Sequence, residues 1–203
     1  MSIMKNSNVE SATAEKTKRG FVKYIIGAVI VVLLGVVMLN GKVEEDPGYK
    51  GSVNVILNRI KDNEEHLNAS YELVHGVWHN SIHGVMDEAT DPYAYPDGFR
   101  EEDFRVAVHN LYVDEDFVEQ LEYYKELQEE LQTLKTKLVD VPEELQDMNT
   151  TLEQLIDVYT DYCELVIKPV GSLTDIEEQH EIIVNTYNDL LAEVDDYMKQ
   201  YNE

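Results

Sequence analysis

LQDMNTTLEQLIDVYTDYCELVIKPVGS, residues 145–172, decides the fold class. Its large apolar residues Leu145, Met148, Leu152, Leu155, Tyr159, Tyr162 and Val166 recur at alternating steps of three and four without a slip. That spacing lays one apolar stripe along an α-helix, whose turn holds about 3.6 residues. Lys168-Pro169-Val170-Gly171 halts the helix, since proline has no N–H to continue its ladder. Val141-Pro142-Glu143-Glu144 opens it, with proline in the first turn and acids at the positive end of the helix dipole.

Similar stripes flank this one. From Ser52, a candidate N-cap, Leu57, Ile60, Leu67, Tyr71, Val74, Trp78 and Val85 follow helical steps, with Glu64 in one core slot. The helix is expected to end near Glu88. ATDPYAYPDGFRE, residues 89–101, holds two prolines and an Asp-Gly step and reads as a loop. A short amphipathic piece, EDFRVAVHNLYV, covers 102–113. Phe117, Leu121, Tyr124, Leu127, Leu131, Leu134 and Leu138 make a further stripe. Ile176, His180, Ile183, Tyr187, Leu190, Val194, Tyr197 and Tyr201 make the last, with Thr174-x-x-Glu177 as its capping box. Short connections favour antiparallel neighbours, and 3-4 spacing favours shallow, coiled-coil-like crossing. The expected fold is all-α: an N-terminal transmembrane helix, then an antiparallel helical bundle of four long helices and one short. With 13 tyrosines against four phenylalanines, many core slots hold a hydroxyl that needs a partner. These tyrosines are expected near the ends and flanks of the bundle.

Charge divides the chain. Residues 1–23 hold five basic and two acidic residues, and residues 24–203 hold 11 basic and 39 acidic, a net of −28. Between these regions lies FVKYIIGAVIVVLLGVVML, residues 21–39, uncharged from Tyr24 onward. A bilayer core of about 30 Å needs roughly 20 helical residues, and Lys23 can snorkel toward the headgroups. The run is far too long for a strand. Basic residues on its N-terminal side put that terminus in the cytoplasm and the rest outside. A cleaved signal peptide competes with this reading, but no A-x-A-like site follows Leu39. No cysteine follows the run closely, which removes a lipoprotein anchor. We therefore expect a cytoplasmic tail at 1–20, disordered by composition, an uncleaved transmembrane signal anchor at 21–39, a linker at 40–51 and an extracytoplasmic bundle at 52–203. One cysteine, Cys163, cannot form an internal disulfide, so packing holds the fold.

The richest chemistry lies in YELVHGVWHNSIHGVM, residues 71–86, with His75, His79 and His83 four residues apart. Neighbouring imidazoles at that spacing can share an ion, whereas His75 and His83 stand about 12 Å apart along the axis. A site would use one adjacent pair and borrow ligands elsewhere. The zinc-protease H-E-x-x-H pattern is absent. Di-iron bundles use Glu-x-x-His pairs, and the chain has Glu72-x-x-His75 and Glu177-x-x-His180. Glu72, His75, His79, Glu177 and His180 are thus the metal candidates, against the plainer reading of interfacial polar groups beside the Val74–Trp78 seam. The middle helices place Leu, Tyr and Met along their stripes where a di-iron site would need Glu. Asp87, Glu88, Asp91 and Asp97 do not match a calcium-loop spacing. Asn68-Ala-Ser70 and Asn149-Thr-Thr151 match the glycosylation acceptor pattern, which matters only in a eukaryotic secretory route. No phosphate-binding loop or nucleophile elbow is found, and no catalytic residue, cofactor or small-molecule substrate is assigned. A net of −28 outside the anchor disfavours nucleic acid.

VWHNSIHG (77–84), FRVAVHNLYVDEDF (104–117), VPEEL (141–145), YTDY (159–162) and KPVGSL (168–173) resemble a loosely defined set of uncharacterised, membrane-anchored helical proteins of Gram-positive bacteria and their mobile elements. These motifs are helix stops, caps and packing residues, so the resemblance implies a bacterial membrane or surface protein and carries over no catalytic residue. The expected role is a non-enzymatic interaction module that meets an envelope protein, a phage component or its own copies. The alternatives are a metal-binding (di-iron or zinc) bundle and a passive tether. Fractionation with N-terminal sequencing tests the anchor: the intact chain is expected in the membrane, and a soluble product beginning near residue 41 would overturn it.

Overall fold

The structure is a computed structural model that describes residues 48–101 and 103–201. The expected tail, the 21–39 span and most of the linker lie outside the described residues. Among the described residues no helix is long and apolar enough to cross a membrane. These residues are all-helical: α1 (Gly48–His83), α2 (Asp91–Ala94), α3 (Phe104–Tyr112), α4 (Glu115–Lys135), α5 (Gln146–Ile167) and α6 (Leu173–Tyr201), with a 3₁₀ turn, Glu143–Leu145, leading into α5.

Four long helices run up, down, up and down. Tyr49 meets Asn149 near the starts of α1 and α5, while Lys61 meets Asp195 and His75 meets Glu177 as α6 runs back along α1. The ends of α1 and α5, the starts of α4 and α6, and the short α2 and α3 therefore share one end of the bundle. Every residue of the α5 stripe is buried, and burial extends to both flanks of that stripe, with Ile156 and Cys163 on one and Leu165 on the other. α5 is the central helix, packed against α1, α4 and α6.

Helix ends depart from expectation in three places, each for a local reason. α1 begins at Gly48, so Ser52 lies a turn inside it rather than capping it. The Tyr49 hydroxyl donates to Asn149 Oδ1 at 3.1 Å, a tertiary anchor for that first turn. At its other end α1 stops at His83, because Gly84 takes φ +70° and both Gly84 N and Val85 N donate to Asn80 O. Val85 consequently leaves the seam and stands exposed. α6 is capped by Ser172 and Asp175, not by Thr174 and Glu177: Asp175 N donates to Ser172 Oγ at 3.2 Å and Ser172 N to Asp175 Oδ2 at 2.7 Å. That leaves Glu177 free to face α1. Part of the expected loop is also helical, with Pro92 in the first turn of α2.

The tyrosines differ too. Tyr124, Tyr159, Tyr162 and Tyr187 are core residues, not flank residues. Their rings fill the seams while most hydroxyls reach polar groups on another helix. Tyr124 Oη donates to His66 O at 3.0 Å and lies 2.8 Å from Ser70 Oγ, and Tyr187 donates to Glu64 Oε2 at 2.9 Å. Tyr123 donates to buried Asn63, whose Nδ2 donates in turn to Arg59 O. Tyr159 is the exception, its buried hydroxyl lacking a hydrogen-bond partner among the described residues. Removing that oxygen removes a desolvated polar atom without opening a cavity of note. Tyr159→Phe is expected to raise stability by about 1 kcal/mol in urea unfolding followed by circular dichroism. Leu152→Ala should lower it by about 2–5 kcal/mol.

Candidate functional site

Helical geometry lines up Tyr71, His75, His79 and His83 along one side of α1, since residues four apart are neighbours on a helix surface. Their rings form a ladder. Centroids lie 5.9 Å apart for Tyr71 and His75, 5.8 Å for His75 and His79, and 4.4 Å for His79 and His83. α6 adds a ring at the inner end, where His180 stacks on Tyr71 at 3.6 Å with only 4° between planes. The ladder thus begins in the α1–α6 seam and ends at exposed His83.

The structure brings most of the expected residues together but pairs them differently. Glu72 does not pair with His75, nor Glu177 with His180. His75 Nε2 instead lies 2.8 Å from Glu177 Oε1, across the two helices. His180 Nε2 lies 3.0 Å from the Tyr162 hydroxyl of α5. That hydroxyl donates its one hydrogen to Asn68 Oδ1 at 2.9 Å, so His180 Nε2 carries a hydrogen and donates to Tyr162. Burial pushes the His180 pKa below its usual value; the Glu72 carboxylate opposes that shift and His75 adds to it. Burial, with Glu72 and Glu177 nearby, pushes the Tyr71 phenol up to about 12. These groups make a hydrogen-bonded, aromatic seam whose buried inner end disfavours charge on both His180 and Tyr71.

Among the described residues, no group of three or more His, Cys, Asp or Glu side chains converges as an ion would require. The loop acids have other work. Asp91 Oδ1 accepts from Asp87 N, and Asp87 Oδ1 from Ala89 N, so both carboxylates shape the turn after α1. Cys163 is buried, and desolvation pushes its thiol up to about 12, far from a reactive thiolate. Sequence reasoning did not find Asn68, Tyr162 or Asn80 as neighbours of the histidines. Tyr162 could have been suspected, as a hydroxyl in a stripe that faces the one carrying His180. The other two carry no periodic signal.

A second feature lies at the same end of the bundle. Phe99 is 81% exposed and Met86 67%, in the connection from α1 to α3. Val170 and Ile182 border an open groove of about 410 Å³ between α5 and α6, alongside Leu165, Lys168 and Ile183. Val113 is exposed where α3 meets α4.

The depressed pKa of His180 sets a direction for stability against pH. The unfolded chain takes up the His180 proton at higher pH than the folded chain does. This contribution is therefore complete above about pH 6.5 and is lost as pH falls toward the folded value. Unfolding free energy measured from about pH 7 down to about pH 5 should fall more steeply in the native protein than in His180→Gln; equal slopes would contradict the assignment. Comparisons of this chain with protein-family models, with curated proteins and with solved structures give no match.

Proposed function

We propose that this protein is a single-pass membrane protein whose helical bundle stands outside the cytoplasmic membrane and binds another envelope protein through the end formed by the close of α1 and the starts of α4 and α6. The reading is non-enzymatic, and it agrees with the membrane-anchored helical proteins that the chain resembles. The apolar 21–39 segment and its basic N-terminal flank support the anchor and its orientation.

One observation carries the interaction. Most large apolar side chains that stay exposed gather at one end, among them Ile82, Val85, Met86, Phe99, Val113 and Val170, while Val55 and Val139 lie toward the other. α1, with 36 residues, puts about 54 Å between its start and that end. A protein surface with apolar side chains of its own, neutral or basic rather than acidic, suits an apolar tip on so acidic a chain.

The test is crosslinking of the anchored protein in its native membrane, with recovery of its covalent partners. Phe99→Ser combined with Met86→Ser is expected to reduce the recovered partner several-fold, while Val139→Ser at the opposite end leaves it unchanged. Recovery of the same partner from the double variant would place the contact elsewhere. Absence of any partner would leave the bundle as a tether and overturn the reading.

A further inference from the structure

The outer two rungs of the ring ladder are held differently from the inner ones. His75 has Nε2 against Glu177, and His180 has Nε2 against Tyr162. In His79 the engaged atom is Nδ1, 3.1 Å from Asn80 Oδ1. A carboxamide oxygen can only accept, so Nδ1 carries the hydrogen and Nε2 of the neutral ring keeps its lone pair.

The orientation of Asn80 is fixed by its own contacts. Thr90 Oγ1 donates to Asp87 O at 3.4 Å, so that hydroxyl accepts from Asn80 Nδ2, 2.8 Å away. The amide therefore turns its oxygen toward His79. Asn80 and Thr90 are both buried, which holds the relay in place. Gly76, one turn before Asn80, lets the Thr90 loop come this close: a Cβ there would stand 3.1 Å from Thr90 Cγ2. The relay from Asp87 through Thr90 and Asn80 to His79 is an outer shell of the kind that fixes the tautomer and aim of a metal-ligating imidazole.

The neighbouring ring completes a pair. His83 is exposed, one turn further along α1, with its ring centroid 4.4 Å from that of His79 and tilted by 43°. Among the described residues its ring makes no side-chain hydrogen bond. Nitrogens bound to one zinc lie about 2.0–2.1 Å from it, and imidazoles one helical turn apart can reach a common ion.

We infer that His79 and His83 form a two-imidazole site for a transition-metal dication such as Zn²⁺, Ni²⁺ or Cu²⁺, with His79 binding through Nε2. Imidazole nitrogen selects this class over Mg²⁺ and Ca²⁺, which prefer oxygen. Two protein ligands leave the remaining positions to water, so the ion is exchangeable and accessible from outside the bundle. The pair differs from the Glu–His pairings of the sequence, because His75 and Glu177 are engaged with each other. It borders the apolar contact proposed above, which includes Ile82 and Val85, but does not depend on it.

The experiment uses the untagged full-length chain in detergent, titrated calorimetrically with Zn²⁺, with Mg²⁺ as control and circular dichroism to check each variant's fold. One Zn²⁺ per chain is expected, with no saturable Mg²⁺ binding. His79→Ala and His83→Ala should each weaken Zn²⁺ binding by at least the roughly 10–100-fold that loss of an outer-shell partner causes. His75→Ala should leave the affinity unchanged. With Cu²⁺ in place of Zn²⁺, electron paramagnetic resonance should show two coupled nitrogens in the native chain and fewer in either variant. Absence of saturable Zn²⁺ binding, native affinity in His83→Ala, or loss of binding in His75→Ala would each overturn the assignment.

Discussion

Burial of α5 well beyond a single stripe is the constraint on which the rest of the bundle depends. An amphipathic helix needs one apolar face, but α5 buries its main stripe together with Ile156, Cys163 and Leu165. No single neighbour can cover that much surface. α1, α4 and α6 must each take a share, and this closes the bundle around α5. The same burial makes Cys163 an inert packing residue, its thiol pushed up to about 12. It also strands the Tyr159 hydroxyl, the one buried side-chain polar atom among the described residues without a hydrogen bond.

Polar groups then set the register that apolar packing leaves loose. Apolar contacts are non-directional, whereas a phenol must meet its partner within hydrogen-bonding distance. Tyr124 to Ser70, Tyr162 to Asn68 and Tyr187 to Glu64 pin α4, α5 and α6 against residues 64–70 of α1. Ion pairs add to this at the rim, as with Arg59 and Glu130, Lys61 and Asp195, and Lys135 and Asp157. Exposed pairs of this kind contribute little stability each, and most acidic side chains simply face water. The α1–α6 seam goes furthest in this direction. Its inner end is built from stacked rings and shared hydrogens rather than aliphatic contact, so it stays sensitive to the charge on His180.

Several features of the fold were legible from spacing alone. The alternating three- and four-residue steps locate all four long helices, and Pro142, Pro169 and Gly171 mark two of their boundaries, because periodicity and proline chemistry are local properties. Caps were less legible. Ser52 and Thr174 have the right side chains for N-caps, yet the chain starts α1 a turn earlier and caps α6 with Ser172 and Asp175. Nearby candidates compete on small energy differences, and a tertiary contact such as Tyr49 to Asn149 decides between them. Val85 fits the heptad pattern but falls beyond Gly84, whose positive φ ends the helix first.

The sequence by itself determined an all-helical fold for the described residues and a charge split around an apolar segment, and it singled out the histidine-rich turn of α1. Those conclusions need only neighbours along the chain. Which side chains face each other was decided by the tertiary structure. Glu72-x-x-His75 and Glu177-x-x-His180 are pairs in sequence, but in the bundle His75 meets Glu177, and His180 meets Tyr71 and Tyr162. Only the antiparallel packing of α6 on α1, fixed by burial around α5, sets that register. His79 acquires its aimed nitrogen in the same way, from a buried Asn80–Thr90 contact that joins a helix to the loop beyond it.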